Sequence, residues 1–142
     1  MRLERGVTIA ASPETVWSLV ADFDRELEFW RGTKAVLSMR RDGNVIEREV
    51  RIAFRGRVQR ERVILAPPSR IVHEILSGPM RGTKTVTVRP SGAGTILTAA
   101  WDVTLVGLLK LGSRVTAKHV AEGTEHALRR IKDAAEGGAP SA

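Results

Sequence analysis

The sequence predicts an α+β domain: a curved, seven-stranded antiparallel sheet wrapped around a long C-terminal helix, with two short helices after the first strand. Three observations carry this. Apolar residues recur at every second position in seven short segments between residues 3 and 105. Most of those segments are joined by connections too short for parallel crossovers. Beyond Gly107 the apolar period becomes helical, running through Leu109, Thr116, Val120, Ala127, Leu128, Ile131 and Ala134.

The elements follow in order. Residues 3–9 alternate as a first strand. Ser12-Pro13-Glu14-Thr15 supplies an N-cap, a proline at the first helical position and an acidic first turn, so a helix follows through Val20. A second short helix over about residues 24–30 starts at Asp24 and presents Leu27 and Trp30. Strands then begin at Thr33 and continue over 44–54, 57–65, 71–76, 80–89 and 95–105. Their punctuation is Asp42-Gly43, Arg55-Gly56, Pro67-Pro68-Ser69, Gly78-Pro79 and residues 91–94. Gly112 and Gly123 fall on or beside the apolar stripe of the last helix, where glycine marks close packing, a bend or space for something else.

A chain of 142 residues fits one domain, expected over residues 1–136 with a disordered tail at 137–142. The absence of cysteine excludes disulfides and thiolate metal sites. No signal peptide or apolar span is expected, and a cytoplasmic protein fits these features. Asn44 and Gln59 are the only side-chain amides, a scarcity that suits a thermophile. The net charge of +7 leaves room for an acidic protein, RNA or an anionic membrane surface as partner. Lys110, Arg114 and Lys118, four residues apart, form one basic row on the last helix; the bland alternative is a solvated face with Lys118–Glu122 and Glu125–Arg129 pairs.

Hairpin register decides which side chains face inward. An Asp42-Gly43 loop sets Met39 opposite Ile46, Leu37 opposite Arg48 and Ala35 opposite Val50. A two-residue loop at Arg55-Gly56 places Glu61 inward, opposite Val50 and diagonal to Arg48, where it balances the charge. A three-residue loop would instead turn Arg60 and Arg62 inward, uncompensated. A Gly78-Pro79 loop puts His73 opposite Lys84, and a loop at 91–94 aligns Lys84, Val86 and Val88 with Trp101, Ala99 and Leu97. The expected cavity is therefore walled by Leu37, Val50, Ile52, Val86, Ala99 and Trp101. Arg48, Glu61 and His73 supply polar groups, and Trp30, Gly112, Thr116 and Val120 close it from the helices. Arg48 with Glu61 is either a structural buried pair or a clamp for a ligand, and Lys84 is a further polar group of this inward face, the alternative being that it snorkels outward from near a strand end.

These segments also resemble a known group. ASPETVWSLVADFDRELEFW at 11–30, PPSRIVHEILSGPMRGTKTVTVRP at 67–90 and GAGTILTAAWDVTL at 92–105 are similar to the START-like, helix-grip superfamily labelled SRPBCC. Within it they resemble the polyketide cyclase/dehydrase and coenzyme Q-binding group, with Met80 standing where the quinone-binding members carry an aromatic. The resemblance implies a strand, two short helices, six more strands and a gripped helix, with lipids, quinones, polyketides or hormones held between helix and sheet. It is shared with a subunit accompanying carbon monoxide dehydrogenase maturation and with a ribosome-associated toxin family.

The first function expected is a carrier or sensor for a hydrophobic small molecule. The second is an interaction module for RNA or an acidic protein. The third is a cyclase- or hydrolase-like enzyme with His73 as its base. No cofactor is implied: His73, His119 and His126 lack metal-ligand spacing, and no Gly-rich phosphate loop is present.

Overall fold

The computed structural model describes residues 1–137, without the side chains of Leu108 and Leu109. Beyond Gly137 the expected disordered tail lies outside the described residues, as does the side chain of Leu109 on the apolar stripe. The elements run β1 (Arg2–Ile9), α1 (Pro13–Val20), α2 (Glu26–Phe29), β2 (Thr33–Asp42) and β3 (Val45–Ile52). They continue with β4 (Val58–Ala66), β5 (Arg70–Ser77), β6 (Met80–Ser91) and β7 (Gly94–Leu105), then α3 (Leu108–Leu111) and α4 (Ser113–Ala135). All seven strands form one antiparallel sheet in the order β1-β7-β6-β5-β4-β3-β2. The α+β architecture read from the sequence is the one observed. Among the described residues no helix is long and apolar enough to cross a membrane.

Local chemistry explains the well-anticipated elements. Ser12 Oγ accepts from the Thr15 N–H at 3.2 Å, with Pro13 at the first helical position of α1. Lys84 pairs with His73 on one side and Trp101 on the other, the register expected from the turns. The β6–β7 loop is shorter than the four residues expected, since Ser91 already pairs with Gly94, but the register is the same.

Three expectations are corrected. The β2–β3 loop is Gly43-Asn44, with Asp42 opposite Val45, so Met39 rather than Leu37 faces Arg48. Two bulges in β2, at Thr33/Ala35 and Val36/Ser38, break the alternation on this edge strand. The β3–β4 turn spans Ala53–Gly56 and contains a short 3-10 turn. Adding two residues to the loop preserves the faces but sets Glu61 directly opposite Arg48, with Val50 opposite Gln59. Finally, α2 is shorter than expected and begins after Arg25. The C-terminal helix breaks at Gly112, one of the roles open to that glycine.

The 23 residues of α4 span about 35 Å. Its C-terminal half buries Ala127, Leu128 and Ile131, and Leu128 and Ile131 pack among Ile9, Val16, Leu97 and Ala99. Each large aliphatic buried there contributes about 1.5–3 kcal/mol. The N-terminal half of the same helix stands over a cavity.

Candidate functional site

Between the sheet and the N-terminal half of α4 lies a cavity of about 590 Å³, within the range of small-molecule pockets. Its apolar walls are Trp30 after α2, Ile52 and Phe54 around the β3–β4 turn, Ile75 on β5, Met80 on β6 and Trp101 on β7. Thr116, Val120 and Gly123 of α4 roof it, and a Cβ on Gly123 would meet nothing within 4 Å. Trp101 is tied to that roof: its Nε1–H donates to Thr124 Oγ1 at 3.0 Å, and the Thr124 hydroxyl donates to the Val120 carbonyl at 2.7 Å.

The inner end is polar. Arg48 forms two hydrogen bonds to the Glu26 carboxylate, Nη1 to Oε1 at 2.6 Å and Nη2 to Oε2 at 3.0 Å. Its Nε and Nη2 both reach Glu61 Oε1, at 3.0 and 2.9 Å. Gln59 donates to the other Glu61 oxygen, and His73 Nδ1 lies 3.6 Å from Glu61 Oε1. Two carboxylates thus take four of the five guanidinium N–H donors, and the Phe23 ring lies against the group at 5.6 Å.

Burial opposes ionisation of Glu26 and Glu61, but the hydrogen bonds and charge of Arg48, with His73 close to Glu61, hold both carboxyls below the usual carboxylate range. Burial works against the Arg48 charge as well, and Glu26 and Glu61 more than restore it. His73 is pushed down by burial and by the Lys84 charge, and stays neutral at pH 7. Lys84 is pushed down to about 8, chiefly by burial and further by Arg48, against the pull of Glu26 and Glu61.

Lys84 is the group that sequence reasoning undervalued. It sits within β6 rather than at its end, is only 6% exposed, and cannot reach water by snorkelling. Its ammonium lies 3.4 Å over the Trp30 ring and 5.3 Å from that of Trp101. Among the described residues the carboxylates beside it, Glu26 and Glu61, are bonded to Arg48 rather than to Lys84. Glu26 was missed altogether. Two signals could have found it: it shares a helix face with Phe29 and Trp30, three and four residues on, and one carboxylate cannot satisfy the five N–H donors of a buried arginine.

Of the expected wall, Trp30, Arg48, Ile52, Glu61, His73, Trp101, Thr116 and Val120 line the cavity. The other five do not. Leu37, the extra residue of a β2 bulge, is 45% exposed. Val50 faces inward but is fully buried, with no surface left on the cavity. Val86 and Ala99 lie further along the sheet, under the packed half of α4. Gly112 sits at the α3–α4 break, which also divides the basic row: Lys110 belongs to α3, and Arg114 and Lys118 to α4. Lys118 does approach Glu122, at 4.0 Å, whereas Glu125 pairs with Arg5 instead of Arg129. Among the described residues no cluster of three metal-ligating side chains occurs.

A curved antiparallel sheet gripping a helix over an apolar cavity defines the START-like, helix-grip class. Residues 1–136 match the family described as polyketide cyclase / dehydrase and lipid transport, and the chain belongs to that family. Among solved structures it is similar to a protein from Thermus thermophilus, at 18% identity and a TM-score of 0.81, covering 98% of this chain and 99% of that one. It is similar to the Zhui aromatase/cyclase from a Streptomyces species, at 20% identity and 0.73, covering 96% and 93%. A START superfamily protein from Mycobacterium smegmatis is 22% identical, with a TM-score of 0.63 over 92% and 98%. No curated protein matches the sequence significantly.

Proposed function

We propose that this protein binds a small apolar molecule between its sheet and α4, and that the molecule carries a neutral oxygen, such as a carbonyl, toward Lys84. The observation that carries the reading is the cavity: about 590 Å³, mainly apolar, with one ammonium directed into it and unmatched by any side-chain acceptor. Charge counting selects the head group. Glu26 and Glu61 contribute two negative charges and Arg48 and Lys84 two positive ones, so the inner end is balanced before a ligand arrives. An anionic head group would add an uncompensated buried charge, whereas a carbonyl accepts a hydrogen bond from Lys84 without one. The family description couples polyketide cyclisation with lipid transport, and ketone-bearing polyketides and lipids both meet these requirements.

The test is a titration of delipidated protein with a neutral, apolar aromatic ketone. Trp30 and Trp101 both border the cavity, so intrinsic fluorescence changes saturably at one molecule per chain. Gly123→Trp fills the roof and abolishes the change. Absence of saturable binding in the unaltered protein, or equal binding by the filled variant, overturns the reading.

A further inference from the structure

The buried cations of the inner end have different duties. Arg48 is consumed by Glu26 and Glu61, and its removal would strand both carboxylates. Lys84 completes no comparable pairing, although an aliphatic residue at this register position would fit the apolar pattern Val86–Val88 along the same strand. An ammonium held over one tryptophan face at 3.4 Å, near a second at 5.3 Å and open to a ligand-sized cavity, is placed to react with what the cavity holds.

We propose that Lys84 captures its ligand covalently and reversibly, its Nζ condensing with an aldehyde or ketone to form an imine. This rests on the ligand reading above and names its chemistry. The neutral amine forms the C–N bond as the carbonyl π pair moves to oxygen, which takes up a proton while nitrogen loses one. The nitrogen lone pair then expels the protonated hydroxyl as water, and nitrogen releases its remaining proton. The balance is carbonyl plus amine giving imine plus one water, with no oxidant or reductant, and water entering the cavity reverses it.

Two features favour the step. With its pKa near 8, roughly a quarter of Lys84 is neutral amine at pH 7.5, against about one in a thousand for an ordinary lysine. That is a gain of about 200-fold in the nucleophilic form. His73 lies directly opposite Lys84 in the β5–β6 ladder and is neutral, so it can take up the proton that the attacking nitrogen sheds and pass it to the oxygen. The other charged groups around Lys84 are Glu26 on α2, Arg48 on β3 and Glu61 on β4; His119, His126 and Arg130 of α4 and Arg31 border the same cavity. Arg48 offsets one of the two carboxylate charges, and Lys84 balances the other while it holds its proton.

The protein is incubated with 2-naphthaldehyde, reduced with cyanoborohydride, and analysed by intact mass and peptide mapping. The expected result is one adduct per chain at Lys84. It forms roughly ten-fold or more faster than adducts at the other four lysines (Lys34, Lys110, Lys118 and Lys132), and faster still as pH rises from 7 to 9. 2-Naphthalenemethanol, which has the same ring system without the carbonyl, blocks it. Lys84→Arg retains the charge and loses the adduct. Saturable alcohol binding by the unaltered protein with no preferential adduct at Lys84 overturns imine capture and leaves the carrier reading standing. Failure to bind either compound overturns both.

Discussion

Replacing Lys84 by methionine removes the ammonium while keeping an unbranched apolar stem, and the consequence is a change in the pH dependence of stability. The pKa of Lys84 falls from an ordinary 10.5 to about 8 in the folded chain. At about 1.4 kcal/mol for each pH unit, that difference is worth about 3 kcal/mol. The penalty is fully present below pH 8, where both folded and unfolded chains carry the proton. Between about 8 and 10.5 the folded chain has lost it and the unfolded chain has not, so stability rises with pH. The parent protein should therefore gain about 3 kcal/mol relative to Lys84→Met between pH 7 and 10.5. Tyrosine and cysteine are absent, so no such side chain confuses this window. Urea unfolding followed by far-UV circular dichroism at each pH measures the difference. Curves for the two proteins that stay parallel across the range would refute the burial of a charged Lys84.

Other perturbations probe the surrounding scaffold. Arg48→Met leaves two buried carboxylates without their guanidinium and should cost about 3–5 kcal/mol in urea unfolding at pH 7; a loss below about 1 kcal/mol would show that the network is not closed. Because Glu26 and Glu61 have folded pKa values below their ordinary 4.5, their stabilisation is present above that pH and disappears as pH falls through the lower folded values. Urea midpoints should accordingly drop between pH 5 and 3, less steeply in Glu61→Gln, and a flat profile contradicts the pairing. Gly82 has a φ of +143°, and a Cβ there would collide with the Asp102 carbonyl on β7. Gly82→Ala should cost at least about 1–3 kcal/mol through backbone strain alone, and an unchanged thermal midpoint would refute that constraint.

Much of the fold was legible because it is written in local chemistry. Ser12-Pro13 starts α1 wherever the chain goes next, and the short turns after Ser77 and Ser91 leave β5, β6 and β7 few registers to choose from. The inward set His73, Lys84 and Trp101 followed directly from that register. The edge strand was less legible: nothing in the alternation of residues 33–42 announces two bulges, so Leu37 was placed on a wall it does not join. The periodicity of the last helix likewise continues over both halves, although one half packs on Leu97 and Ala99 and the other on empty space.

The sequence by itself determined the order of elements, the register of the central hairpins and the presence of charges on an apolar face. Only the tertiary structure decided what those charges do. Glu26 reaches Arg48 because α2 folds back over the sheet, and that second carboxylate ties Arg48 into a network within the chain. Trp30, brought in by the same segment, lays its ring over the Lys84 ammonium. Alternation along a strand is set by neighbouring residues, whereas desolvation and charge pairing depend on which distant segments close over the face. For that reason the cavity was foreseeable, and the exchange of roles between Arg48 and Lys84 was not.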